Sequence, residues 1–175
     1  MKRAVIITWE GYQDQELLYP FYRLQEDNFI VDVAAANSGE IHGILGTKMV
    51  ATKSVNDLKT DDYDLLILPG GVKALEKVRQ EKKVIDFIKE WHREKKIIGS
   101  ICHGAQLLIS AEITKGKKIS GYYSIKDDIK NSGAIYIDAP YVIDDNIISS
   151  PHYKYLGVWM KEVLKTFYEK NAQDN

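Results

Sequence analysis

The stretch Lys96-Ile97-Ile98-Gly99-Ser100-Ile101-Cys102-His103-Gly104-Ala105-Gln106-Leu107-Leu108, residues 96–108, decides how this chain reads. Its first half is a short continuous apolar run, the pattern of a strand covered on both faces in a parallel sheet, and its second half opens a helix. Cys102 stands at the break. In an open α/β sheet that break is the carboxyl end of a strand, where ligands bind, and the following helix N-terminus lends a partial positive charge that favours thiolate over thiol. Gly99 and Gly104 supply the small flanks of a tight strand-to-helix elbow, by analogy with the Gly-x-Ser-x-Gly elbow of hydrolases. The plainer alternative is that Cys102 is a small core hydrophobe.

Outward from this segment, residues 4–8, 30–35 and 65–68 repeat the continuous apolar pattern, so that with 97–101 they predict four buried parallel strands. Between them lie helical patterns. Leu17, Leu18, Phe21, Tyr22 and Leu24 form one apolar stripe, and Val84, Phe87, Ile88 and Trp91 another. Strand and helix alternate, which predicts an α/β fold, a doubly wound, mainly parallel sheet between helical layers. Residues 40–53, with Gly43 and Gly46 among β-formers, predict a small hairpin or edge extension of structural role. Beyond Cys102 the pattern predicts helices over 105–111 and 125–131. A strand pair, 141–143 with 147–149, turns at Asp144-Asp145-Asn146, and an amphipathic helix covers 156–168. Without repeat or linker, residues 1–175 read as one domain.

Composition limits the function. The 24 Lys+Arg against 25 Asp+Glu leave a formal net charge of -1, so no field gathers nucleic acid or an anionic membrane. No apolar stretch approaches the roughly 18 residues of a membrane span, and the start is too short in apolar residues for a signal segment. The expected location is the cytoplasm, with which a single cysteine agrees. His42, His92 and His152 lack metal-ligand spacing, and His42 and His92 read as surface residues. No metal or organic cofactor is expected.

His103 is placed to take the thiol proton, provided the elbow bends sharply enough for neighbours to face each other; otherwise it is a surface histidine. After the first strand, Asp14 reads as a helix N-cap and Glu16 as a first-turn acid that either complements the helix dipole or does chemistry. The first and fourth strands are expected to be neighbours, bringing Glu16 beside Cys102. Pro69-Gly70-Gly71 closes the third strand with glycines that let backbone N–H groups approach an oxyanion, or that merely mark a turn.

Several blocks then match a known family in order: Asp14-Gln15-Glu16-Leu17-Leu18-Tyr19-Pro20, Tyr63-Asp64-Leu65-Leu66-Ile67-Leu68-Pro69-Gly70-Gly71, residues 101–108, Ser124-Ile125-Lys126-Asp127-Asp128 and Asn131-Ser132-Gly133-Ala134. Over nearly its full length the chain resembles the PfpI-like intracellular proteases and deglycases of the DJ-one superfamily. The resemblance implies a flavodoxin-like three-layer sandwich with a nucleophile elbow. It assigns the nucleophile to Cys102, the adjacent histidine to His103 and the glutamate that hydrogen-bonds the cysteine to Glu16. Glu76 corresponds to a carboxylate donated across a subunit interface in members that assemble a Cys-His-Glu triad, and Tyr122 to an active-site tyrosine. Gly70 and Gly71 fall at the oxyanion loop. The chain departs from many relatives at Gln13, Ala105 and Tyr123, and Ser150-Pro151 stands where a Ser-Arg pair is common, so that His152 is expected to line the cleft in place of the arginine.

The implied function is a cysteine-dependent enzyme acting on carbonyl or acyl carbons, of glyoxalase III, protein deglycase or intracellular peptidase type. Its substrate would be a small carbonyl compound, a peptide or a glycated protein, and its assembly a homodimer or homohexamer. The alternative is a stress-response redox sensor or chaperone that works by oxidation of Cys102.

Overall fold

The computed structural model describes residues 1–174; the end of the expected domain, Asn175, lies outside the described residues. Strands β1 (Arg3–Ile7), β2 (Ile30–Ala35), β3 (Gly39–His42), β4 (Lys48–Ala51), β5 (Lys53–Ser54), β6 (Leu65–Leu68), β7 (Ile98–Ile101), β8 (Lys118–Ile119), β9 (Ile135–Tyr136), β10 (Val142–Asp144) and β11 (Ile147–Ser150) alternate with helices. These are α1 (Asp14–Glu26), α2 (Val72–Val78), α3 (Lys82–Arg93), α4 (Ala105–Ser110), α5 (Lys126–Asn131) and α6 (Leu156–Gln173). The main sheet runs β10-β11-β7-β6-β1-β2-β5, parallel throughout except for the antiparallel pair β10–β11. The four strands expected from apolar runs are its centre, each within a residue of the expected bounds. All four residues of β6 and of β7 are buried, as two covered faces require.

Chain direction sets the layers. The crossover from β1 leads outward to β2, whereas that from β6 leads the other way to β7, and both crossovers are right-handed by the usual rule. Helix α1 therefore covers one face, where α6 packs against it, and α3 covers the other with α4. Val84, Phe87, Ile88 and Trp91 are the buried stripe of α3. Two indoles end in the core with their N–H satisfied: Trp91 Nε1 donates to Ile97 O (3.1 Å) and Trp159 Nε1 to Ile148 O (3.1 Å).

One expectation about order fails. The first and fourth strands are not neighbours, because β6 lies between β1 and β7. The order in which the chain adds strands reverses between the parallel pair β1 and β6, and the crevice at their carboxyl ends is where loops diverge and a ligand can enter.

Residues 39–51 form the expected antiparallel hairpin, with Ile41 opposite Met49. No described helix is long and apolar enough to cross a membrane.

Candidate active site

At the end of β7 the chain breaks as the sequence predicts, and Cys102 adopts φ +58°, in the left-handed region that costs a non-glycine residue energy. The strained elbow does what a relaxed turn could not. It brings Cys102 Sγ to 3.4 Å from His103 Nδ1, so the adjacent residues face each other. Both are buried, Cys102 at 6% exposure and His103 at 7%.

Glu16 reaches the same spot from α1 and is wholly buried. Its Oε1 accepts from the Gly70 N–H at 2.8 Å, while Gly70 O accepts from the Gln13 N–H at 3.1 Å. The loops after β1 and β6 are thus tied across the switch point, and Glu16 spans the intervening strand end. The approach leaves no space for a side chain at position 70, where a Cβ would stand 2.5 Å from Glu16 Oε1 and 3.0 Å from both Cys102 Cβ and His103 N. Gly70 therefore serves the acid, with its N–H engaged by Glu16 rather than offered to an oxyanion.

Burial raises the Glu16 pKa to about 8, with the Gly70 N–H and the Cys102 side chain pulling the other way. Near neutral pH Glu16 is a carboxylic acid that can donate a proton. Its Oε2 is buried without a hydrogen-bond partner. The expected bias of Cys102 toward thiolate is reversed: burial pushes the thiol up, and the charge of Glu16 adds to this. The helix beyond the elbow is only Ala105–Ser110, and its dipole does not offset the loss of water. Protonation of Glu16 removes its charge, so the two groups titrate as a coupled pair. Burial lowers the pKa of His103, leaving a neutral imidazole at neutral pH.

Above the thiol lies a pocket of about 300 Å³ lined by Glu16, Cys102, His103, Gly71, Tyr122 and His152, with Gln13, Ile44, Leu45, Val72 and Tyr153 completing the wall. Tyr122 packs its ring 4.9 Å from that of His103 and 6.1 Å from that of His152. His152 Nδ1 accepts from the Lys154 N–H at 3.1 Å, which leaves the ring proton on Nε2. Among the described residues no group of three or more His, Cys, Asp or Glu is placed to hold a metal.

Six of the eight residues singled out in the sequence line this pocket. Gly70 stands just behind it, and Glu76 is exposed on α2 and does not line it. Two smaller readings change. Gln13 caps α1 through Oε1 (2.9 Å from Glu16 N), whereas Asp14 is buried and turned toward the hairpin. His92 is partly buried, and burial lowers its pKa, with the charge of Lys95 adding to the fall. Ile44 and Leu45 are not legible as pocket residues beyond one oddity, two apolar residues between Gly43 and Gly46 at the tip of a turn.

Comparison with known proteins places the chain in a family and agrees with the fold. The sequence matches the DJ-1/PfpI family over residues 2–166. It is 39% identical over 163 residues to Deglycase TK1284 of Thermococcus kodakarensis, covering 93% of this chain and 98% of that one. Deglycase PfpI of Pyrococcus furiosus is 38% identical with the same coverage. Among solved structures, a two-domain Anabaena variabilis protein with DJ-1/ThiJ/PfpI-like and ferritin-like domains superposes with TM-score 0.92 at 27% identity, over 95% of this chain and 48% of that one. Drosophila melanogaster DJ-1beta, at 24% identity, shares the fold with TM-score 0.85 over 96% of this chain and 89% of its own.

Proposed function

Because the chain belongs to the DJ-1/PfpI family, we propose that it is a cysteine-dependent enzyme acting on carbonyl carbons, of the deglycase and glyoxalase type, with Cys102 as nucleophile. The observation that carries the reading is the convergence, under one small pocket, of a buried thiol on a strained elbow, an imidazole nitrogen 3.4 Å from it and a wholly buried carboxyl.

On a 2-oxoaldehyde the thiol adds to the aldehyde carbon. An S–C bond forms, the carbonyl electrons move to oxygen, and the thiol proton passes to that oxygen by way of His103. The hydrogen on the former aldehyde carbon is then moved as a proton to the adjacent ketone carbon, and the proton of the new hydroxyl to the ketone oxygen, with Glu16 and His103 as relays, so that one carbon is oxidised to the thioester level and its neighbour reduced to an alcohol. The resulting thioester is cleaved by water, which releases a 2-hydroxy acid and restores the thiol. On the hemiaminal of a glycated protein the thiol displaces the amine: an S–C bond forms as the C–N bond breaks, the amine leaves with the thiol proton, and the same hemithioacetal results. Tyr122, His152 and the backbone around Gly71 and His103 steady the developing oxyanion.

Names among the relatives support carbonyl or protein adducts as substrates. Peptide hydrolysis is a second reading that calls for a third catalytic group. Exposed Glu76 lies outside the pocket of its own chain, so this activity requires a homodimer or homohexamer in which another copy supplies that carboxylate.

The test is methylglyoxal consumption with product identification, for freshly reduced wild type, Cys102→Ser and Glu16→Gln. Lactate from the wild type alone is the expected result. An inert wild type whose thiol still reacts rapidly with peroxide would overturn the reading in favour of redox sensing.

A further inference from the structure

The hairpin β3–β4 carries two exposed apolar side chains at its tip, Ile44 at 53% and Leu45 at 69% exposure, and both belong to the wall of the Cys102 pocket. Adjacent exposed apolar side chains that continue the wall of a cleft mark a ligand-binding surface rather than scattered surface residues. The tip is held in place with care. Asp14, buried at 2% exposure, accepts from the Leu45 N–H (2.8 Å), the Thr47 N–H (3.0 Å) and the Thr47 hydroxyl (2.5 Å). Ile44 N–H donates to Tyr12 O at 3.0 Å, and Gly43 lies so close to the Asp14 carboxylate that any side chain there would collide with it. Asp14 sits two residues before Glu16 on α1, so one helix start fixes both the catalytic acid and the pocket wall.

Across the opening stand Val72, exposed at 52%, and Tyr153, exposed at 42%. No lysine or arginine lines the pocket; Lys154 belongs to the adjoining cleft beyond Tyr122 and His152. An anionic substituent would therefore be desolvated without a cation to meet it, whereas an apolar one would be covered by Ile44, Leu45, Val72 and Tyr153. At about 300 Å³ the pocket is of small-molecule size, with space for more than a methyl group.

Building on the carbonyl-enzyme reading, we infer that this pocket takes neutral carbonyl compounds with a bulky apolar substituent, and that Ile44 and Leu45, positioned by Asp14, determine this specificity. In an initial-rate comparison of phenylglyoxal with methylglyoxal, kcat/KM favours phenylglyoxal by about tenfold or more, the usual value of one good apolar contact. The double variant Ile44→Ser, Leu45→Ser lowers that ratio by about tenfold. Asp14→Asn lowers it through KM with kcat held, whereas an equal fall for both glyoxals through kcat would make Asp14 merely structural and overturn its part.

A second measurement is independent of turnover: the rate at which iodoacetamide alkylates Cys102 in the presence of acetophenone or of pyruvate. Protection by acetophenone, lost in the double variant, is expected. Equal protection by the two, or stronger protection by pyruvate, would overturn the inference. Turnover of neither glyoxal would sink the enzyme reading, and the order of protection would still support or overturn the pocket assignment by itself.

Discussion

The two ends of the central sheet treat acidic side chains in opposite ways. At the amino end, before β11, Asp145 lies 2.5 Å from Lys95 Nζ and 3.0 Å from Lys117 Nζ, and the two ammonium groups hold its carboxyl down to about 2. At the carboxyl end Glu16 has no cation at all, and burial pushes it up to about 8. The paired acid is an ordinary surface bridge worth at most about 1 kcal/mol. The unpaired acid costs stability at high pH and gains a transferable proton near neutrality, which is the condition a proton relay needs.

The largest break in this contrast comes from the nucleophile. Cys102→Ser should lower turnover of a 2-oxoaldehyde by on the order of a thousandfold or more, with an unchanged fold by circular dichroism. A folded serine variant retaining wild-type rates would remove Cys102 from the chemistry.

Glu16→Gln should follow, with a loss of about a hundredfold or more in kcat. Its stability effect sharpens the comparison. Because the folded pKa of Glu16 is raised, the native state binds more protons than the unfolded chain between the unfolded carboxylate pKa and about 8, so wild-type stability falls as pH rises through that window. Thermal melts should find Glu16→Gln gaining on wild type as pH rises from 5 to about 9. A constant difference across that range would mean that Glu16 is charged throughout.

Gly70→Ala tests how closely the two loops must meet. The added Cβ displaces Glu16, Cys102 or the His103 backbone, and a misplacement of that kind costs up to about a hundredfold in kcat/KM. Unaltered kinetics would show that the loops yield without consequence.

Smallest is Asp145→Asn. It should cost no more than about 1 kcal/mol at neutral pH. Since the folded pKa is depressed, the loss should disappear as the wild-type acid protonates between the unfolded carboxylate pKa and about 2. It should also shrink in high salt and leave kcat/KM unchanged, as a titration of melting temperature and a kinetic assay would show.

The sequence alone determined the four central strands, the α3 and α6 stripes and the elbow at Cys102, because continuous apolar runs and helical periodicity are local consequences of burial. It also marked Cys102, His103 and Glu16 as a group, through order and resemblance. The tertiary structure alone decided that β6 separates β1 from β7, that Gly70 serves the acid, that the thiol is held protonated and that Ile44 and Leu45 wall the pocket. Those facts depend on which loops meet across the switch point and how much water they exclude. Contacts between residues far apart in the chain, such as Glu16 with Gly70 or Asp14 with Leu45, leave no period or spacing to read.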